Sequence, residues 1–275
     1  MSSCIAVLTD FFAVSNRALS YAAGLPVPLK AHLLLLNAQH DPLLAPEEFG
    51  DYQTWTGRQK TFYELEKLAS AQSVPTEVDM ADEPLSEAVR EVLRERDLRL
   101  VVLGQPGFEN APPDLVARTA LGLLRRVACP LLVVPAAGWD QFPPRRLLLA
   151  VDGEPFELGP QHGAVYRLLR DFGGTLEAVH VTDDEHARPT AGALLETITQ
   201  NDFVADTRDA PLHLHERYHP RVVDGILAEA AQLAADMLVV VARHRSFMGS
   251  LFQESTTARL IQESSIPVLV LPADA

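Results

Sequence analysis

Apolar residues along the chain come in short, nearly unbroken runs separated by longer amphipathic stretches. "CIAVLTD" (4–10) opens with an apolar strand over 4–9, and "AHLLLLNA" (31–38) is apolar almost throughout. Runs of this kind suit strands buried on both faces of a parallel sheet. Between them, 15–24 places Ala18, Leu19, Ala22 and Ala23 at helical spacing, and 46–72 is charged and helix-prone, with Leu65, Leu68 and Ala69 on one face. "VPTEVDM" (74–80) reads as a weaker strand. Residues 84–97 form an amphipathic helix through Leu85, Ala88, Val89, Val92 and Leu93. "LRLVVLG" (98–104) is a fourth strand, 114–127 a helix and 131–135 a fifth strand. Such alternation predicts an open α/β sheet covered on both faces.

The second half repeats the first. "RLLLAVD" (146–152) matches "CIAVLTD", and "ADMLVVV" (235–241) matches "LRLVVLG". "SSIPVLVLPA" (264–273) matches "VACPLLVVPA" (127–136). The pattern predicts strands at 146–151, 175–181, 211–217, 237–242 and 267–271, with helices at 158–172, 221–234 and 251–263 and a short helical stretch near 190–200. A repeat this long is a duplicated domain rather than a solenoid. "AAGWDQFPPRR" (136–146) has the Gly, paired Pro and polar residues of a linker. The expected domains are 1–137 and 145–275.

A net charge of −14, from 37 acidic against 23 basic residues, supplies no basic stripe for a nucleic-acid backbone. No apolar run approaches the roughly 20 residues of a membrane span. "MSSCIAVLTD" lacks the basic stretch of a secretory signal, so cytoplasm is the expected compartment. Cys4 and Cys129 each lie in or beside an apolar strand and read as buried reduced thiols, not a disulfide or metal pair.

Ligands of open α/β sheets bind beyond the carboxyl ends of the strands. The relevant positions here are Thr9 and Asp10, Ala38, and Leu103 with the turn Gly104-Gln105-Pro106-Gly107. A strand that ends in such a turn before a helix can offer backbone N–H groups to a phosphate, although a Gly-x-x-Gly turn is more often only a turn.

"VLTDFF", "VVLGQPG" and "CPLLVVP" resemble the universal stress protein family, and the whole chain, in both copies, resembles a tandem two-domain member. The resemblance implies two tandem Rossmann-like domains, each an open five-stranded parallel sheet with helices on both faces. ATP-binding members carry Gly-x2-Gly-x9-Gly-Ser/Thr after the fourth strand, and an Asp ending the first strand contacts the nucleotide. In copy one Asp10, Gly104 and Gly107 match, but Ala117-Arg118 and then Thr119 stand where Gly-Ser is expected, after Pro112 and Pro113. Arg118 could meet a phosphate or fill its space. In copy two Asp152 matches, while the glycine positions fall on Val241, His244 and Glu254, and only Ser255 and Thr256 keep hydroxyls. A carboxylate about 4 Å from a phosphate costs on the order of 1 kcal/mol in water and several times that near a protein surface.

The expected site is therefore Thr9, Asp10, Ala38, Leu103, Gly104, Gly107, Arg118 and Thr119. It would hold ATP or another adenine nucleotide weakly in the first domain and would be lost in the second. The function that follows is a non-catalytic sensor or adaptor in stress response. A genuine ATP-binding, slowly hydrolysing member is the alternative. An adenylating ligase is disfavoured, because no Ser-Gly-Gly-rich pyrophosphate loop and no His-x-Gly-His motif is present. His213, His215 and His219 lie close together without a recognisable ligand set, so no metal is expected and exposed histidines are the simpler reading. The Arg243-His244-Arg245 cluster could bind an anion beside Ser255; arginines paired with the abundant acids are the simpler reading. An unidentified protein partner is compatible with this composition. The uncharged fifth strands, each begun and ended by proline, suit pairing within the chain or in a homodimer.

Overall fold

The computed structural model describes residues 3–9, 13–38, 55–105, 114–138, 142–158, 171–185, 191–201, 212–243 and 255–274. The chain divides into two units, Met1–Ala136 and Ala137–Ala275.

In the first unit strands and helices alternate: β1 (Ser3–Leu8), α1 (Ala13–Ala22), the single turn α2 (Pro26–Leu29), β2 (Ala31–Ala38), α3 (Trp55–Ser70), β3 (Thr76–Ala81), α4 (Leu85–Glu95), β4 (Asp97–Gly104), α5 (Leu115–Leu124) and β5 (Leu131–Val134). The strands pair in parallel in the order β3-β2-β1-β4-β5. Four consecutive residues of β1, Cys4 to Val7, and four of β2, Leu33 to Leu36, have no exposed surface. Successive strand side chains point to opposite faces, so such runs require cover on both sides of the sheet. Helix α4 shows how that cover forms. Leu85, Ala88, Val89 and Val92 make its buried stripe, and Glu87 and Arg90 pair across its outer face at 2.6 Å. Both cysteines are free and buried, as their apolar surroundings in the sequence imply.

The second unit contains β6 (Arg146–Val151), β7 (Glu157–Leu158), β8 (Thr175–Thr182), α6 (Ala191–Gln200), β9 (His213–Tyr218), α7 (Val222–Gln232), β10 (Met237–Arg243), α8 (Thr256–Glu263) and β11 (Val268–Asp274). Its parallel strands run in the order β9-β8-β6-β10-β11, which repeats the first unit position for position. Two details depart from the sequence pattern. Leu158 is a strand residue, because β7 pairs antiparallel with the end of β11 and the Asn201 side chain holds it there. Asn201 Oδ1 accepts the Leu158 N–H at 2.7 Å, and Nδ2 donates to Phe156 O at 2.8 Å. Strand β11 also runs through Pro272 to Asp274, since β10 accompanies it as far as Ala273 and β7 closes its end. The expected helix over 159–170, and the starts expected for the helices at 46 and 251, lie outside the described residues.

An aspartate ties down the first strand of each unit. Asp97 Oδ2 accepts from Ser3 Oγ at 2.7 Å and from Arg99 Nη2 at 2.6 Å. Asp236 Oδ2 accepts the backbone N–H groups of Arg145 and Arg146 at 3.0 and 2.9 Å. The two aspartates are not sequence equivalents: the β1–β4 register shifts between Cys4 and Ile5, and that irregularity lets Asp97 reach the strand start.

Candidate functional site

In both units the chain leaves the first strand in one direction towards the second and third strands, and in the other towards the fourth and fifth. The crevice beyond the strand ends at this switch point is where open α/β sheets place ligands. In the first unit it lies between the ends of β1 and β4, at Thr9 and Gly104. In the second it lies between β6 and β10, at Asp152 and Arg243.

The first-unit crevice is built on backbone. Thr9 is 2% exposed, and Ala38 and Leu103 are fully buried, so the latter two offer main-chain atoms only. Asn37, at the end of β2, donates from Nδ2 to Thr9 O at 2.9 Å. Without that bond the carbonyl just beyond β1 would lie buried where the ladder ends. Gly104 is half-buried and closes β4, beside Gln105, whose N–H donates to Val134 O at 2.9 Å. Arg118 is exposed on the first turns of α5 and Thr119 is half-buried next to it. Arg118 Nε lies 3.1 Å from Asp114 Oδ2. The guanidinium thus already has a carboxylate partner, and any phosphate must compete with it. Asp10 and Gly107 lie outside the described residues, as do Pro112 and Pro113.

The second-unit crevice has the same frame and a different filling. His180 on β8 occupies the place of Asn37, facing the end of the first strand. It donates from Nδ1 to Val151 O at 3.0 Å. Gly153 follows with φ +95°, a region L side chains rarely adopt, and a Cβ there would stand 3.0 Å from His180 Cε1. Arg243, only 13% exposed at its side chain, reaches across from the end of β10. Its Nη2 donates to Asp152 Oδ1 at 2.7 Å and to Glu154 O at 2.6 Å, and Nη1 donates to Glu154 Oε2 at 2.9 Å. A cation from the protein itself therefore sits on the carboxylate that ends the first strand. Val241 lies within β10, paired with Leu271, and supplies no turn. Ser255 is the N-cap of α8, where its Oγ accepts the Ala258 N–H at 3.1 Å. His244 and Glu254 lie outside the described residues.

A family model described as the universal stress protein family matches residues 1–135 and again 144–272. The chain belongs to the universal stress protein family. Among solved structures, this universal stress protein is similar to one from Archaeoglobus fulgidus, with 18% identity, 98% of each chain covered and a TM-score of 0.65. It is also similar to a functionally unknown protein from Pseudomonas aeruginosa, with 19% identity, 98% of this chain and 92% of that one covered and a TM-score of 0.58. At such identities the likeness is one of fold. No curated protein matches the chain.

Sequence reading missed two residues of this universal stress protein's crevices. Asn37 and His180 are polar residues inside apolar runs, a signal visible in "LLLLNA" and "EAVHVT". Arg243 pairs with acids, which was the simpler of the two readings of its cluster, but its partners include Asp152 itself. Among the histidines, His213 is exposed, whereas His215 is not. Its Nε2 lies 2.6 Å from Glu177 Oε2 and its Nδ1 3.0 Å from Glu229 Oε1. Glu229, 3% exposed, also accepts from Arg217 Nε and Nη2 at 2.7 and 2.8 Å. Among the described residues no group of three His, Cys, Asp or Glu side chains is arranged to hold a metal ion. No helix of the described residues is long and apolar enough to cross a membrane.

Proposed function

We propose that this chain is a non-catalytic sensor or adaptor of the stress response, acting in the cytoplasm through domains 1–137 and 145–275. Its nucleotide site is degenerate, weak in the first domain and lost in the second. The ligand would be ATP or another adenine nucleotide, held by Thr9, Asp10, Ala38, Leu103, Gly104 and Gly107, with Arg118 and Thr119 near the phosphates. The observation that carries the reading is the Arg243 clamp on Asp152 and Glu154. In the second unit the strand-end carboxylate is already paired with a cation of the protein, and Val241 replaces the glycine that would permit close backbone approach. The first unit keeps Gly104 at the equivalent strand end, yet Arg118, the cation expected near the phosphates, is engaged by Asp114.

Calorimetric titration of the whole chain with ATP, ADP and AMP tests this. The expected result is at most one weak site per chain, abolished by Gly104→Val and untouched by Asp152→Ala. Two sites, or affinity unchanged in Gly104→Val, would overturn it. The fifth strands belong to the same proposal. β5 and β11 end the parallel ladder of their own units and carry no charge over 131–134 and 268–271, so we assign them to domain pairing or a homodimer. Val133→Lys and Leu269→Lys should weaken that association in sedimentation, and an unchanged profile for both variants would refute it.

A further inference from the structure

The opposite edge of the first unit's sheet carries the strongest unassigned feature. β3 pairs with β2 alone. The Leu33 N–H donates to Pro75 O at 2.9 Å, so the backbone groups of Pro75 face β2. In a parallel ladder the N–H and C=O of one residue point the same way, and the direction alternates along the strand. Glu77, Asp79 and Ala81 therefore face β2, and Thr76, Val78 and Met80 turn their backbone groups outward. Those outward groups have no partner among the described residues. A half-buried strand edge left unpaired among the described residues is a template for another strand.

Beside this edge lies a groove of about 600 Å³ between α3 and β3. Its lining is mixed: Phe62, Ala69 and Val78 are apolar, Ser70, Gln72 and Thr76 are polar, and Glu66 and Glu77 add carboxylates. Phe62 is 42% exposed, unusual for so large an apolar side chain. The charge balance around the edge is negative. Glu77 is met by Arg96 and by His32 Nε2 at 3.4 Å, whereas Glu66 and Asp79 have no ion pair among the described residues.

We propose that the β3 edge and the α3–β3 groove bind an extended basic segment of another protein by strand addition. Its backbone would pair with Thr76, Val78 and Met80, alternate apolar side chains would meet Phe62 and Val78 on the α3 face, and the lysines or arginines between them would face Glu77 and Asp79 on the other face. Charge selects this occupant over a second copy of the chain. A β3–β3 pair would bring Glu77 and Asp79 of two molecules together, and like charges across strands are destabilising. The net charge of −14 further favours encounter with a basic partner. The proposal supplies a partner class for the adaptor reading and rests on it only for biological use, since nucleotide titration and peptide binding fail independently.

The probe is the acetylated, amidated peptide KVKVKVKV, added to the isotope-labelled full chain and followed by backbone amide shifts and amide exchange. Expected are shifts at Phe62 and along Thr76–Ala81, with slowed exchange of the Val78 and Met80 amides. The same peptide N-methylated at alternate backbone amides should bind about tenfold more weakly, because main-chain donors are lost without change of charge. Asp79→Lys should also weaken binding. Equal affinity for a block peptide KKKKVVVV, equal affinity for the N-methylated peptide, or shifts confined to β9 would each overturn the proposal. So would dimerisation of the unliganded chain with protection of the same two amides, which would make the occupant a second copy.

Discussion

Asp236 is 8% exposed, and replacing it tests how the second unit anchors its central strand. Its Oδ2 accepts the N–H groups of Arg145 and Arg146, its Oδ1 accepts from Arg146 Nη2 at 3.1 Å, and its own N–H donates to Arg146 O at 2.7 Å. Burial raises the carboxyl's proton affinity, but the Arg146 side chain and the two backbone N–H groups outweigh it and hold the group below its ordinary value of 3.8. Asp236→Ala removes the acceptor for two backbone donors and unpairs Arg146. Hydrogen bonds to charged groups contribute roughly 1.5–3 kcal/mol each, and the Arg146 partner is half-exposed, so a loss of about 3 kcal/mol is expected. Asp236→Asn keeps one oxygen for the two N–H groups but loses the charge and turns an amide donor towards Arg146, for about 1–2 kcal/mol. Urea denaturation followed by circular dichroism measures both, and hydrogen exchange in β6 assigns the loss to this unit. The depressed carboxyl contributes stability that is present above pH 3.8 and lost as pH falls below it, so the parent weakens on acidification by a component the Asn variant lacks. Equal loss in both variants, or identical acid profiles for Asn and parent, would refute the reasoning.

Other outcomes follow from the same geometry. Burial pushes the Cys4 thiol up to about 11 from 9.0 and the Cys129 thiol higher still, so neither should react with a disulfide reagent in the folded chain at neutral pH. The Cys4 contribution is complete below pH 9.0 and is lost as pH rises through about 11, which should cost about 2–3 kcal/mol in alkaline urea titrations relative to Cys4→Ala. Glu229→Ala leaves Arg217 and His215 without their shared carboxylate and should destabilise by about 3 kcal/mol, with faster amide exchange in β9; unchanged exchange there would show that the cluster does not hold the strand. Gly153→Ala should lower the melting temperature by an amount equivalent to about 1–3 kcal/mol, because φ +95° and the His180 ring both oppose a side chain, and a neutral result would deny the strain.

The duplication, the α/β class and most strands were legible in the residues themselves. Strands such as 31–38 and 146–151 are buried on both faces, so their apolar runs are unbroken and their limits sharp. The decay of the second glycine motif was equally visible, since Val241 and Glu254 need no structure to be seen. What only tertiary structure decided is what occupies the space that decay leaves. Arg243 and Asp152 are far apart in the chain, and a basic cluster in an acidic protein has many possible partners. Parallel pairing of β6 with β10 places both at one switch point and selects the pair. The same holds for Asn37 and His180, whose partners are backbone carbonyls that no composition reveals. It holds for Asn201, which makes a strand of Leu158, and for the outward groups of β3, whose direction follows from one bond to Pro75. Local apolar periodicity sets the elements, because burial is a property of each segment. Long-range polar contacts set the site, because they depend on which strand ends the sheet brings side by side.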